Sequence, residues 1–154
     1  MASPQRAAPA ADPGVAVIGG LLPRGVETVE AFGDVPGEPV HPGEEDLVAR
    51  AVETRRREFV TTRRCAREAL ARLGTPIGPI RSGMRREPLW PPGVTGSMTH
   101  CAGYRAAAVA SVGTVAALGI DAEPHEPLPE GVEPSVTAPG EAEMLAALAT
   151  TYPG

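Results

Sequence analysis

The chain has 154 residues, with 18 glycines, 18 prolines, no lysine and a formal net charge of −5, a length that allows one domain with a single core. No apolar run reaches the roughly 18–20 residues of a membrane span, and the first twenty residues, with one arginine and a broken apolar stretch, make a poor signal peptide, so a cytoplasmic protein with no membrane partner is expected. Two cysteines, Cys65 and Cys101, are too few for a disulfide framework or a thiolate zinc site.

Glycine and proline cluster in residues 1–43 and 124–140. The chain therefore reads as an irregular N-terminal segment (1–43), a core (44–123), and a Pro-rich connection with the start of a further helix (124–154). Residues 15–22 (VAVIGGLL) suit a short strand. Residues 44–73 are helical by pattern, because Val48, Val52, Phe59, Ala66, Leu70 and Leu73 recur at helical spacing, with room for a break near Glu53–Thr54. Glu44, Glu45 and Asp46 suit its N-terminal end, and Gly74 followed by Pro76 is a stop signal. A Pro/Gly loop with Trp90 follows. Residues 94–99, 105–111 and 115–123 then read as three strands, with a turn at 112–114 between the last two. Glu141 opens the final helix.

Charge is distributed unevenly. Residues 50–86 hold eleven of the fourteen arginines against three acids, a segment of +8 in a remainder of −13. A basic segment inside an acidic chain points to a local anion site more than to nucleic-acid binding, and aromatic residues for base stacking are scarce. Arg56 and Arg64 stand eight apart, two helical turns, and share one side; Arg57 and Arg64 are a similar pair. A plain solvated helix face is the alternative.

Two polar inserts interrupt apolar runs. In Gly119-Ile120-Asp121-Ala122-Glu123, strand alternation would put both carboxylates on one face. Adjacent carboxylates repel unless a cation, a proton or an arginine lies between them, and Mg²⁺ with phosphate oxygens fits that need. The alternative is a solvated strand end. In Ser97-Met98-Thr99-His100-Cys101, hydroxyls and an imidazole suit phosphate contact, against a strand-edge histidine with a structural partner. A Cys-His dyad is disfavoured because sequence neighbours face opposite ways in a strand, and the stretch does not match G-x-S-x-G. His41 and His125 lie in Pro-rich loops without an assigned role.

Three stretches in order, "RRREFVTTRRCAREALARLG", "REPLWPPGVTGSMTHC" and "LGIDAEPHEPLPEGV", resemble the 4′-phosphopantetheinyl transferases of the bacterial enterobactin synthetase component D type. The resemblance spans about residues 50–130. It implies an Mg²⁺-dependent enzyme that moves the phosphopantetheine arm of coenzyme A to a serine of an apo acyl or peptidyl carrier protein, releasing 3′,5′-ADP. It implies an α+β fold, one half of a pseudo-twofold enzyme, with a long arginine-rich helix on a small, mainly antiparallel sheet.

Carried over by position, Asp121 and Glu123 would ligate Mg²⁺ with Ala122 nearby. Thr99 and His100 would meet a coenzyme A phosphate, with His100 the candidate catalytic residue and Asp121 also against the cofactor. Arg56 and Arg64 would hold the nucleotide's phosphates, and Arg86 and Pro88 would lie under the adenosine. Glu87 stands where many relatives have a basic residue. The family's downstream K-E-A-x-x-K motif is absent, and "GEAEMLAAL" at 140–148 lacks both lysines, so the chain is expected to be the N-terminal half and inactive alone. Siderophore or other secondary-metabolite synthesis is the expected setting. The competing expectations are a half-domain that binds coenzyme A or a carrier protein without catalysis, and an arginine-rich nucleic-acid adaptor.

Overall fold

The computed structural model describes residues 17–151. It divides into two units, Met1–Glu123 and Pro124–Gly154. In the first, a helix packs on a three-stranded antiparallel sheet, the α+β arrangement expected. Strand β1 is Val26–Ala31, helix α1 is Glu53–Arg72, β2 is Val94–Cys101 and β3 is Tyr104–Ser111. The sheet order is β1-β3-β2, which leaves β2 at an edge.

Small side chains set the centre. Ala106, Ala107, Ala108, Val109 and Ala110 are all fully buried, so β3 is covered on both faces. Alternation sends Ala107 and Val109 toward α1, where they join Cys65, Ala66, Ala69 and Leu70 in one cluster. Alanine facing alanine lets helix and sheet approach closely without a void. Ala106, Ala108 and Ala110 turn the other way, in register with Thr28 and Glu30 of β1 and with Thr95, Ser97 and Thr99 of β2. Ala102-Gly103 makes the two-residue turn from β2 to β3, and Gly103 has φ +75°, where a Cβ would be strained.

Helix α1 ends as its glycine dictates. Thr75 N–H donates to the Leu70 carbonyl and Gly74 N–H to that of Ala71, the paired bonds of a left-handed C-terminal cap, with Gly74 at φ +77°. Its start differs from the sequence pattern. Residues 45–48 form a separate 3-10 turn, Glu45–Val48, and residues 49–52 break the helix before Glu53. The reason is Glu44, which the pattern placed at a helix end and which is 1% exposed. Its carboxylate accepts from Arg67 at 2.9 Å and from the Ile80 amide at 2.7 Å, with Arg63 at 3.8 Å. In one continuous helix, Glu44 and Arg67 would lie about 35 Å apart at 1.5 Å per residue. The chain folds back instead.

Three other expectations are corrected. Residues 17–22 form bends and a turn, and the N-terminal strand comes later, within the segment read as irregular. Pairing with β3 explains β1: Val29, opposite Ala107, is its one buried residue, and Ala31 packs against the same cluster. Residues 112–114 do turn, but no strand follows. Residues 115–123 lack a backbone ladder; hydroxyls of β2 occupy their polar groups, as described below.

The second unit contains a four-residue helix, α2 (Glu133–Val136), and α3 (Glu141–Thr151). Glu141, the first residue of α3, reaches back to accept from the Ala138 amide at 2.6 Å, which ties the turn before the helix to its start. No helix among the described residues is long and apolar enough to cross a membrane.

Replacing Glu44 by glutamine should leave Arg63 and Arg67 facing a neutral group in a buried site. Breaking one partner of a buried ion pair costs about 3–5 kcal/mol, and the retained amide oxygen favours the lower end. Urea unfolding of Glu44→Gln should show the loss as a fall in midpoint at unchanged slope. A change below about 0.5 kcal/mol, typical of surface positions, would remove Glu44 from this role.

Candidate functional site

Two grooves adjoin along α1 and β2. One, of about 290 Å³, is lined by Arg55, Phe59, Arg63, Arg86, Pro88 and His100 among others. The second, of about 620 Å³, shares Arg55, Phe59, Arg63 and Arg86 and continues past residues 46–51 and Ser82. Helical spacing accounts for the α1 contribution: Arg55, Phe59 and Arg63 stand at i, i+4 and i+8. Phe59 is buried, so its neighbours four residues away share the face that turns inward.

Arg63 is fixed. Its Nε donates to the Ile80 carbonyl and Nη2 to Ser82 Oγ, both at 3.2 Å, and its guanidinium lies 3.7 Å from the centre of the Phe59 ring. Burial pushes its pKa down to about 10, with the Glu44 carboxylate opposing that shift. It remains charged at neutral pH.

Arg86 comes from a small hairpin closed by the Leu89 amide on the Arg81 carbonyl and by the Gly83 amide on the Glu87 carbonyl. Among the described residues it is the one non-glycine position with positive φ, +66°, an uncommon conformation for an arginine. Glu87, which the sequence places where a basic residue was expected, accepts from the Arg85 amide at 2.8 Å and so belongs to the hairpin tip. Arg81 ties the hairpin's base to Asp46 through two bonds of 2.6 and 2.8 Å.

His100 lies on the α1 side of β2. Arg55 Nη1 stands 2.5 Å from its Nε2, and Glu58 Oε2 3.7 Å from its Nδ1. Because a guanidinium only donates, Nε2 accepts and the ring hydrogen is assigned to Nδ1. Thr99, the neighbour on the strand, points to the opposite face. Its hydroxyl accepts from the Ala122 amide at 3.0 Å and donates to Asp121 Oδ1 at 3.2 Å. Two residues earlier, Ser97 Oγ accepts from the Ile120 amide at 3.1 Å. Residues 120–122 are thus held to the edge strand by alternate hydroxyls in place of a backbone ladder. Both acids lie near the end of β2: the Cys101 thiol is pushed up by burial and then by the negative charges of Glu123 and Asp121.

The structure therefore gathers His100, Arg86 and Pro88 in the groove, and Thr99, Asp121 and Ala122 on the other side of the same strand. Arg64 is elsewhere. It pairs with Glu38 at 2.7 Å and with Glu68 at 3.2 Å. Arg56 is not among the residues lining either groove; the α1 arginines that line both are Arg55 and Arg63, beside the expected Arg86. Both pairs have the same eight-residue spacing. The signal that separates them is Phe59, an apolar residue four positions from each member of the groove-facing pair. Among the described residues no cluster of three His, Cys, Asp or Glu surrounds a common point, so Asp121 and Glu123 form at most part of a metal shell. Oxygen ligands of this kind fit Mg²⁺, which commonly takes one or two carboxylates and completes its shell with water and phosphate.

Comparison with known proteins points to one family. Residues 43–110, which run from before Glu44 to the end of β3, match the 4′-phosphopantetheinyl transferase N-terminal domain. The chain is 54% identical over 140 residues to the 4′-phosphopantetheinyl transferase Svp of Streptomyces mobaraensis, covering 89% of this chain and 57% of that protein. It is 54% identical over 125 residues to Npt of Nocardia iowensis (81% and 56%) and 51% identical over 112 residues to PptT of Mycobacterium tuberculosis (73% and 49%), both 4′-phosphopantetheinyl transferases. The chain thus spans about half the length of these relatives. These names support the superfamily without fixing the enterobactin-type branch. From the helix, the groove and these matches together, the chain belongs to the 4′-phosphopantetheinyl transferase superfamily.

Proposed function

We propose that these residues form part of an enzyme that transfers 4′-phosphopantetheine from coenzyme A to a serine of an apo acyl or peptidyl carrier protein in the cytoplasm. The observation that carries this reading is the division of β2. One face presents an arginine-and-histidine groove sized for a nucleotide's phosphates, and the other binds a segment bearing two carboxylates. A pyrophosphate-containing cofactor lying along that edge reaches both.

In this reading the groove takes the 3′,5′-ADP end of coenzyme A. Arg55, Arg63 and Arg86 neutralise phosphate charge, and His100 lines the groove beside them. Arg63, already fixed by Ile80, Ser82 and Phe59, pays little ordering entropy on binding. Thr99 orients Asp121, and Asp121 with Glu123 and the Ala122 carbonyl would hold Mg²⁺. Such an ion supplies charge neutralisation at the pyrophosphate. The serine oxygen attacks phosphorus, a new P–O bond forms, and 3′,5′-ADP leaves with the electrons of the old one. Negative charge grows on the leaving oxygen, so donors already in place lower the barrier.

The arginine assignment predicts a difference between two ligands. Arg55→Ala and Arg63→Ala should each weaken coenzyme A about tenfold, the worth of a charge-assisted bond, and weaken dephospho-coenzyme A less, as measured by calorimetry. Arg64→Ala should change neither. Equal losses for both ligands would move Arg55 and Arg63 off the 3′-phosphate.

The transfer itself is tested by weighing an apo carrier protein after incubation with Mg²⁺ and coenzyme A. Because the described residues supply two acids to the metal, these 154 residues alone are expected to bind coenzyme A without transferring its arm. Fused to the portion of Svp that they do not span, they should add one phosphopantetheine per carrier, and Asp121→Ala in the fusion should abolish the gain. Binding without transfer in the fusion would favour a half-domain that only binds coenzyme A. Full turnover with Asp121→Ala would remove the carboxylates from the mechanism.

A further inference from the structure

Arg86 owes its place in the groove to an uncommon backbone. The hairpin that carries it closes through three bonds. Leu89 N–H donates to the Arg81 carbonyl and Gly83 N–H to the Glu87 carbonyl, both at 2.8 Å, and Arg86 N–H donates to the Gly83 carbonyl at 3.0 Å. These leave a three-residue loop, Met84-Arg85-Arg86, whose third position turns left-handed and is ordinarily glycine. Here it is an arginine at φ +66°, lining both grooves. The direction of its side chain follows from that φ. An uncommon conformation at a binding surface is a reason to look for what holds it.

The side chain of Glu87 folds back across this loop. Its Oε2 accepts from the Arg85 amide at 2.8 Å, which fixes the peptide between Met84 and Arg85. Its carboxyl group lies against the α-carbon of Gly83, where a Cβ would stand 2.5 Å from Cδ and 2.9 Å from Oε2. Gly83 is not one of the glycines at positive φ, so its backbone suits other residues. The space that glycine leaves there is filled by the carboxylate. A loop with its inner face occupied in this way is confined to conformations that leave that space open.

We propose that Glu87 is a positioning residue that acts through Arg86: by its bond to Arg85 and its fit against Gly83 it keeps Arg86 left-handed and its guanidinium at the groove. The purpose given to it rests on the anion-binding reading of the groove, whereas the hairpin geometry does not.

Charge and position predict opposite signs. Glu87 is a carboxylate beside the arginines of an anion groove, so by charge alone its removal should tighten an anion. Loss of a clamp should loosen it. The probe is 3′,5′-ADP, titrated by calorimetry into the 154-residue chain and its variants. Glu87→Ala should bind it about fivefold more weakly, within the roughly tenfold that a charge-assisted bond from Arg86 supplies. Glu87→Gln keeps an oxygen for the Arg85 amide and should bind at least as tightly as the unsubstituted chain. Gly83→Ala keeps the charge but displaces the flexible carboxylate, and should weaken binding as Glu87→Ala does, at an unchanged urea midpoint. In an Arg86→Ala background neither substitution should weaken binding further, because a residue acting through Arg86 has nothing left to position. Equal or tighter binding in Glu87→Ala or Gly83→Ala overturns the proposal, and so does an undiminished loss in the Arg86→Ala background.

A second measurement needs no ligand. The NOE between an amide proton and the α-proton of its own residue is strong at positive φ, where the two protons approach. For Arg86 it should be strong in the unsubstituted chain and weaker in Glu87→Ala. An NOE that is the same in both proteins overturns the proposal. If the unsubstituted groove fails to bind 3′,5′-ADP, the anion reading falls, and the NOE alone decides whether Glu87 holds Arg86.

Discussion

A single buried carboxylate, that of Glu44, joins three of the four pieces of chain that border the grooves, β2 being the fourth. It comes from the segment before the 3-10 turn, receives Arg67 and faces Arg63 from α1, and accepts the Ile80 amide from the loop after the helix. Burying a charge is costly, and such a group is weak evidence of net stability even when paired. Its effect lies in what it excludes. With Glu44 inside, residues 44–52 cannot extend α1, and the loop that follows α1 must pass beneath the same two arginines. Arg63 then carries the order outward, through Ser82, to the hairpin that presents Arg86 and Pro88. The groove is a consequence of that junction.

The second constraint is alternation along β2. A strand presents successive side chains to opposite faces, so Thr99 and His100 cannot serve one small space. Placing β2 at the sheet's edge turns this separation to use, since a long ligand laid along an edge can touch both faces. The edge also leaves backbone groups to satisfy, and Ser97 and Thr99 occupy residues 120–122 with hydroxyls instead of a ladder. Such a junction holds Asp121 in place while leaving the segment without the rigidity of a paired strand.

What the sequence made legible follows from how local each signal is. The body of α1, its stop at Gly74 and strands β2 and β3 depend on periodicity and on one glycine, and all are readable. The pattern leaves room for a break at Glu53, but not for the fold-back that produces it, which depends on contacts of Glu44 with Arg67 and Ile80, 23 and 36 positions away. β1 was missed for a similar reason: with Val29 its sole buried residue, it is a strand by virtue of β3 beside it. Residues 115–123 alternate like a strand but lack a backbone partner, so periodicity misled. The pairing of Asp121 with Thr99 joins two motifs that the sequence reading had already singled out, whereas Glu87 showed only as a departure from the family. Its contact with Gly83 depends on how the hairpin closes.

The charge asymmetry of the sequence resolves in the same terms. The basic segment does not remain basic all round, because acids from the preceding segment fold against it. Glu38 meets Arg64, Glu44 meets Arg63 and Arg67, and Asp46 meets Arg81. Within the helix, Glu53 and Glu68 take up Arg57 and Arg64. Exposed pairs of this kind contribute little stability individually, but their placement is selective: they neutralise the rear and flank of α1. Arg55, Arg86 and His100 are left at the groove, and a cleft lined by one sign of charge focuses its field there. A count of arginines raises the expectation of an anion site. Only the positions of Glu38, Glu44 and Asp46 show on which side of the helix it remains.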